Sequence, residues 1–518
     1  VNRGAPSWHR VRPRHLWALS LLILLAASTV SAQPEEVIPP PPEIIGPPPR
    51  ELPSAVLQEE QTQNHLKTII TSLNAKLALV EEQSLWRENR WNAVLRNHLI
   101  DLSMWWRFAD LTTWTLRTFG EHEPVRQLFF FAMPFLEWMI EPFVILVNPT
   151  LPEGRLEADL DRLTWLIKYK QGEGMAVSIG HVSDASQSEV EAKQILAFYQ
   201  LLIRHLAARE GIEAVNLSVN LSALAYGLDK LQGDTALEAS LPEAAANRVK
   251  ATRAALGQLL QAADEVKEKS VFIRLETAGY ADEKAMLAIF KEVAAENPEI
   301  ISNQDGSLRL GVVIQACRKD VCRDLEDLLE WARRHTVRVP VRLVKAYFAT
   351  HEPDLTPATG DAGGLAWSSK EAIDASFERL SEFLILHRDH FQIAFATHNL
   401  RSIARAMALA GSYGLGRADF EFQMRLGLGD AIKEVVTSMG YRLRVFVPIG
   451  AYAPALAYAG SCFRKLADKE DPLARTLGGD TAHLEGPPPQ FHHAEGSTEE
   501  ACVEALVTGA RAETAGTP

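Results

Sequence analysis

"VPVRLVKAYF" (Val339–Phe348) reads as a buried strand, yet Arg342 and Lys345 place two permanent charges where it leaves the core. An ionised group taken out of water is costly unless it meets a partner. Either neighbouring acids neutralise the pair or something anionic binds at the strand's end. The same apolar rhythm recurs in "MAVSIGHV" from Met175, "AVNLSVNLSAL" from Ala214, "SVFIRLET" from Ser270 and "LRLGVVIQA" from Leu308. It continues in "FQIAFATHN" from Phe391, "FEFQM" from Phe420 and "RLRVFVPIG" from Arg442. Amphipathic stretches such as "SEVEAKQILAFYQLLIRHL" and "DEKAMLAIFKEVAAE" lie between these runs. Alternating strands and helices imply a parallel sheet covered by helices. Eight such units over residues 155–470 predict an α/β fold, a closed (β/α)8 TIM-like barrel preceded by an α-helical region. An open doubly wound sheet is the alternative, but no GxGxxG follows an early strand.

The 518 residues are enough for one large core and a second region. A formal net charge of −13 argues against a general nucleic-acid binder. Residues 1–32 combine Arg3, Arg10, Arg12 and Arg14 with an uncharged run, Leu16–Val30, and the small-residue stretch "SAQ". That pattern predicts a secretory signal or an N-terminal membrane anchor, and hence an exported (periplasmic or secreted) or membrane-anchored protein. Residues 33–54 read as a Pro-rich linker and 55–150 as a helical region, whose apolar stretch Leu128–Val147 suits packing on the main domain or docking at a membrane surface. Residues 478–518, rich in Gly, Pro, Thr and Ala, predict a poorly ordered tail. Cys317, Cys322, Cys462 and Cys502 are too scattered to suggest a disulfide framework, and no run has metal-ligand spacing.

A barrel of this kind builds its site at the C-terminal ends of the strands. Those ends supply Asn220, Arg274 with Glu276, Gln315, Arg342 with Lys345, Thr397–His398–Asn399, and Glu421 with Gln423. Amide, guanidinium, ammonium and imidazole groups together suit a large polar cofactor bearing phosphates and a heteroaromatic ring. An interior ion pair of Arg342 with Glu276 or Glu421 explains part of the set equally well.

The segments "VRLVKAYF", "FATHN", "FEFQM" and "RVFVPIG" resemble, in order, signature segments of the proline dehydrogenase family of FAD-dependent (β/α)8 barrels. "LSVNLSAL", "VVIQA" and "WSSKEAIDASFERL" (Trp367–Leu380) add to the resemblance, which spans about residues 160–470. It implies hydride transfer from the ring carbon beside the proline nitrogen to flavin N5, with electrons then passing to a quinone-type acceptor. It implies FAD contacts at Gln315, Arg342, Lys345, Thr397, His398, Asn399 and Gln423, with Arg342 and Lys345 the residues closest to catalysis.

The substrate side departs from the pattern. The Gly usual between Lys345 and Ala346 is missing, Asn220 stands for a Lys, Arg274 for an Asp, Arg425 for a Leu and Phe446 for a Tyr. With Tyr458 aligned to the family's Tyr, the adjacent arginines that clamp the proline carboxylate are replaced by Ser461 and Cys462, and Arg464 and Lys465 lie three residues on. Truncating a guanidinium–carboxylate pair in a closed site costs about 2–5 kcal/mol, so losing two corresponds to a thousandfold or more in affinity. Tyr458, Arg274, Arg425, Arg464 and Lys465 are the remaining candidates for binding the substrate. Three readings stay open: proline oxidation, oxidation of a related small amine acid, and a non-catalytic flavin-binding or scaffold protein on the same barrel.

Overall fold

The computed structural model describes residues 55–86, 137, 140–147, 153–182, 185–227, 243–266, 269–276, 280–301, 308–345, 366–367, 369–467, 473, 476 and 498–516. The apolar run Leu16–Val30, the Pro-rich linker and most of residues 87–139 lie outside them.

A two-residue strand, β1 (Ile145–Leu146), falls within the segment expected to be helical. The eight predicted runs then form β2 (Ala176–His181), β3 (Ala214–Asn220), β4 (Ser270–Glu276), β5 (Leu310–Gln315), β6 (Val339–Val344), β7 (Phe391–Ala396), β8 (Phe420–Arg425) and β9 (Arg442–Gly450). Each pairs in parallel with its neighbours, and β9 joins both β8 and β2, closing the barrel. β1 adds to the end of β9.

Among the described residues two long helices precede the barrel, α1 (Ala55–Trp86) and α2 (Glu153–Gly172). A longer helix then follows each barrel strand: α3 (Glu189–Ala207), α4 (Glu243–Glu265), α5 (Tyr280–Glu296), α6 (Val321–His335), α7 (Lys370–Leu386), α8 (Leu400–Ser412), α9 (Asp430–Ser438) and α10 (Tyr452–Ala467). Local chemistry sets their starts. Ser188 accepts the Glu191 N–H at 3.2 Å while Glu191 reaches back to the Gln187 N–H at 2.8 Å, a capping box at the head of α3. Asn399 caps α8 through the N–H groups of Arg401 and Ser402 at 3.0 and 3.4 Å.

Strand alternation divides the interior into two zones. Outward residues, among them Leu217, Ile273, Val312, Leu343, Phe395, Phe422 and Val447, bury against the helices. Inward residues fill the lumen and are unusually polar: Ser218, Arg274, Glu276, Arg342, Glu421, Gln423 and Arg444. Small residues admit large ones there; a Cβ on Gly180 would come within 2.5 Å of the Phe446 ring. Gly427 is fixed for a related reason, since its φ is +72° and a Cβ would meet the Pro142 carbonyl at 2.4 Å.

The structure corrects two sequence expectations. Residues 478–518 are not all a loose tail: Thr498–Gly516 is a helix, α11, that buries Val503, Leu506, Val507 and Ala510. Its spaced small apolar residues give a narrow stripe that composition alone conceals. Cys322 and Cys502, 180 residues apart, are joined in a disulfide with a Cα–Cα distance of 6.3 Å. Cys317 and Cys462 remain as buried thiols. At the other end of the chain, α1 lies along α8 and α9 through Leu66, Ile69, Ile70, Leu73 and Leu77, with Thr62 donating to Ser412 at 2.9 Å.

Candidate active site

The charges of the opening stretch do meet acids. Arg342 crosses the lumen from β6 to pair with Glu276 at the end of β4, and donates to Ser218 on β3 at 2.8 Å. Its Nε is buried without a partner. Lys345, just beyond β6, pairs with Asp374 in the second turn of α7. Asp374 also accepts from Asn399 Nδ2 at 3.2 Å, so one carboxylate ties the ends of β6 and β7 together. Glu276 ends a strand, whereas Asp374 stands in the helix that follows β6 and was not singled out in the sequence. The signal for it was its place early in the helix after a charged strand end.

The neighbouring ends are ordered in the same way. Gln315 donates through Nε2 to Glu283 of α5 at 2.9 Å. Gln423 donates to Glu421, whose carboxylate also takes Arg444 at 2.8 and 2.9 Å. Glu421 therefore belongs to Arg444, not to Arg342. Thr397 Oγ1 accepts the Asn399 N–H at 3.1 Å. His398 Nε2 accepts the Arg425 N–H at 3.0 Å, which leaves the ring proton on Nδ1. Burial, then the charges of Lys465, Lys433 and Arg425, hold His398 well below its usual pKa, so it is a neutral donor.

The last barrel helix, α10, completes the mouth. The Arg425 guanidinium lies 5.6 Å from the centre of the Tyr458 ring, and the Tyr458 hydroxyl is buried beside the Cys462 thiol. Ser461 spends its hydroxyl on the Tyr458 carbonyl at 2.7 Å, one turn back in its own helix. Burial raises the Cys462 thiol's pKa and keeps it neutral. Neither residue offers a cation where the clamp arginines would stand.

The substrate-side candidates separate. Arg425, Tyr458 and Lys465 share the mouth, since Lys465 acts on both His398 and Cys462. Arg274 does not belong to the mouth at all. It points down the lumen, over the Phe272 ring at 4.9 Å and to the carbonyls of Val312 and Pro340 at 3.3 and 3.5 Å. Arg342 above repels it and the aromatic face below attracts it.

The donor set fits a phosphorylated flavin: two cations, three amides, a threonine and a neutral histidine at the C-terminal ends of four strands, with the Arg342 Nε still unpartnered. The fold and these residues define a (β/α)8 barrel with a cationic, amide-rich mouth. A family model described as proline dehydrogenase matches residues 166–460, more than half of the 518-residue chain, and the chain belongs to the proline dehydrogenase family. The bifunctional protein PutA of Escherichia coli (strain K12) is 25% identical over 296 residues, 55% of this chain and 21% of that protein. Proline dehydrogenase 1 of Bacillus subtilis (strain 168) is 22% identical over 284 residues, 55% of this chain and 76% of that protein. Proline utilization A from Bdellovibrio bacteriovorus, solved after inactivation by N-propargylglycine, shares the fold with a TM-score of 0.60 at 22% identity, over 85% of this chain and 46% of that one. The match thus spans about a fifth of the bifunctional E. coli relative.

Proposed function

We propose that this protein is an FAD-dependent oxidoreductase that oxidises proline or a related small amine acid and passes the electrons to a quinone-type acceptor. The observation that carries the reading is the cluster of Arg342, Lys345, Gln315, His398 and Gln423 at one barrel mouth, inside the span matched by the family. Bound there, FAD supplies the acceptor for the hydride lost from the carbon beside the amine. Arg342 and Lys345 set a positive field that favours an anionic ligand and a reduced, negatively charged ring. Gln315, Thr397, Asn399 and Gln423 orient it through groups already held by the fold, and His398 donates from Nδ1. Arg425 and Lys465 take the place of the missing clamp in holding the substrate carboxylate, against the face and hydroxyl of Tyr458.

The reading includes an exported or membrane-anchored location, set by the N-terminal apolar run. The Cys322–Cys502 disulfide supports it, because such bonds persist mainly in oxidising compartments. Among the described residues no helix is long and apolar enough to cross a membrane.

Anaerobic mixing of FAD-loaded protein with proline tests the proposal. Bleaching of the flavin absorbance, and slow inactivation by N-propargylglycine, are the expected results. Retained FAD that neither proline nor related amine acids reduce would instead favour the non-catalytic reading, which Ser461 and Cys462 motivate. Protein that cannot be loaded with FAD would defeat both. Arg342→Ala should lower FAD affinity at least tenfold, and undiminished loading would remove Arg342 from the cradle.

A further inference from the structure

At the N-terminal face of the barrel, opposite the candidate active site, the lumen holds a cavity of about 180 Å³. Its wall includes Asn216, Phe272, Arg274, Glu421, Arg442 and Arg444. The volume equals roughly six waters at about 30 Å³ each, room for a small polyatomic ion.

The charge pattern of the lumen is unbalanced. Arg342 is matched by Glu276 and Arg444 by Glu421. Arg274 is only 4% exposed, and no carboxylate lies within 4.0 Å of it among the described residues. It has two long contacts to carbonyls, and its Nε has no partner. Glu421 and Glu276 attract it from farther away, while Arg342 and Arg444 repel it. Asn216 lines the same cavity with its Oδ1 buried and unpartnered; turned end for end, that amide presents N–H groups instead. The remaining acid at the rim, Asp419, already accepts the Gly416 N–H at 2.7 Å. A second cation, Arg442, stands half-exposed at the opening.

We infer that this cavity is a binding site for a small tetrahedral oxyanion, of the phosphate or sulfate kind, held by Arg274 with Asn216 and closed off by Arg442. The anion completes the charge balance of the lumen and relieves Arg342 of repulsion from below, without entering the active-site mouth. A planar guanidinium with a free Nε–H and a neighbouring amide suit several oxygens at once, which a halide lacks.

The test uses the full-length purified protein and inorganic phosphate, with chloride at equal ionic strength as the reference. Phosphate at tenfold over its dissociation constant should raise the Tm by roughly 1–2 °C above the chloride sample. Sulfate should compete with it. The rise should vanish in Arg274→Met, and Arg442→Gln, a change at an exposed site, should weaken apparent phosphate affinity several-fold. Should Arg274→Met fail to fold, phosphorus NMR line broadening by the wild-type protein, reversed by sulfate and reduced in Arg442→Gln, decides the matter. A Tm indifferent to phosphate, an equal effect of chloride, or an undiminished response in either variant overturns the site.

Discussion

Arg342 shows how a single side chain serves both the fold and the site. Its guanidinium is buried, paired with Glu276 and bonded to Ser218 at 2.8 Å. Such a pair contributes little net stability, because desolvation offsets most of the Coulomb attraction, but breaking it strands a buried charge. Glu276→Ala should therefore lower the unfolding free energy of the flavin-free protein by about 3–5 kcal/mol. Urea unfolding of the wild type and variant measures this, and a change under about 1 kcal/mol would mean that Arg342 finds another acid. Tyr458 is the contrasting case, a hydroxyl buried at the mouth beside the Cys462 thiol, with the Arg425 guanidinium over its ring. The same scale explains why Arg274 was misplaced by sequence reasoning. Alternation along a strand says that positions 272, 274 and 276 share the lumen face, but not whether a long side chain turns up toward the mouth or down. Repulsion from Arg342 and the Phe272 ring settle the direction, and both lie outside any local pattern.

Among the elements, α11 depends most on contacts remote in sequence. It lies against α7, with Arg379–Glu504 at 2.7 Å, Arg511–Glu382 at 2.6 Å and Arg333–Glu513 at 2.6 Å around its buried stripe. The Cys322–Cys502 bond fastens its first turns to the head of α6. The eight strands were legible because their period-2 runs recur between amphipathic segments. α11 was not, because a Gly-, Ala- and Thr-rich composition hides a one-sided stripe, and a pairing across 180 residues leaves no trace in local spacing. Closing so long a loop restricts the unfolded chain, so Cys322→Ser should cost about 2–4 kcal/mol of stability. Denatured, unreduced protein should titrate two thiols, Cys317 and Cys462, and reduced protein all four cysteines. Four thiols without reductant, or a variant as stable as the parent, would show that the bond does not fasten α11.

For the whole molecule, the polar residues at the strand ends were readable as a set, while their partners were not. Asp374 and Glu283 come from the helices next to β6 and β5 in the chain, and Arg444 from the adjacent strand β9, so packing of each strand on its neighbours brings them to Lys345, Gln315 and Glu421. Packing also buries titratable groups and gives the fold a pH dependence. His181, against Phe198 at 5.5 Å and with both ring nitrogens unpartnered, and His387, against Phe383 at 4.5 Å, are each pushed down to about 4, chiefly by burial. Both are neutral in the fold, yet the unfolded chain protonates them below about 6.5. The unfolded state therefore binds more protons between about 6.5 and 4, and stability falls as pH drops through that window. Glu421, held down at about 2 against the effect of burial by Arg444 and its hydrogen bonds, acts later: its stabilisation is full above about 4.5 and is lost toward 2. Each histidine should contribute about 1.4 kcal/mol per pH unit inside the window. Urea unfolding at intervals from pH 7.5 to 5 should show this slope, and His181→Leu should reduce it by one proton's worth below 6.5. An unchanged slope in the variant would mean that His181 reaches solvent and titrates in the folded protein.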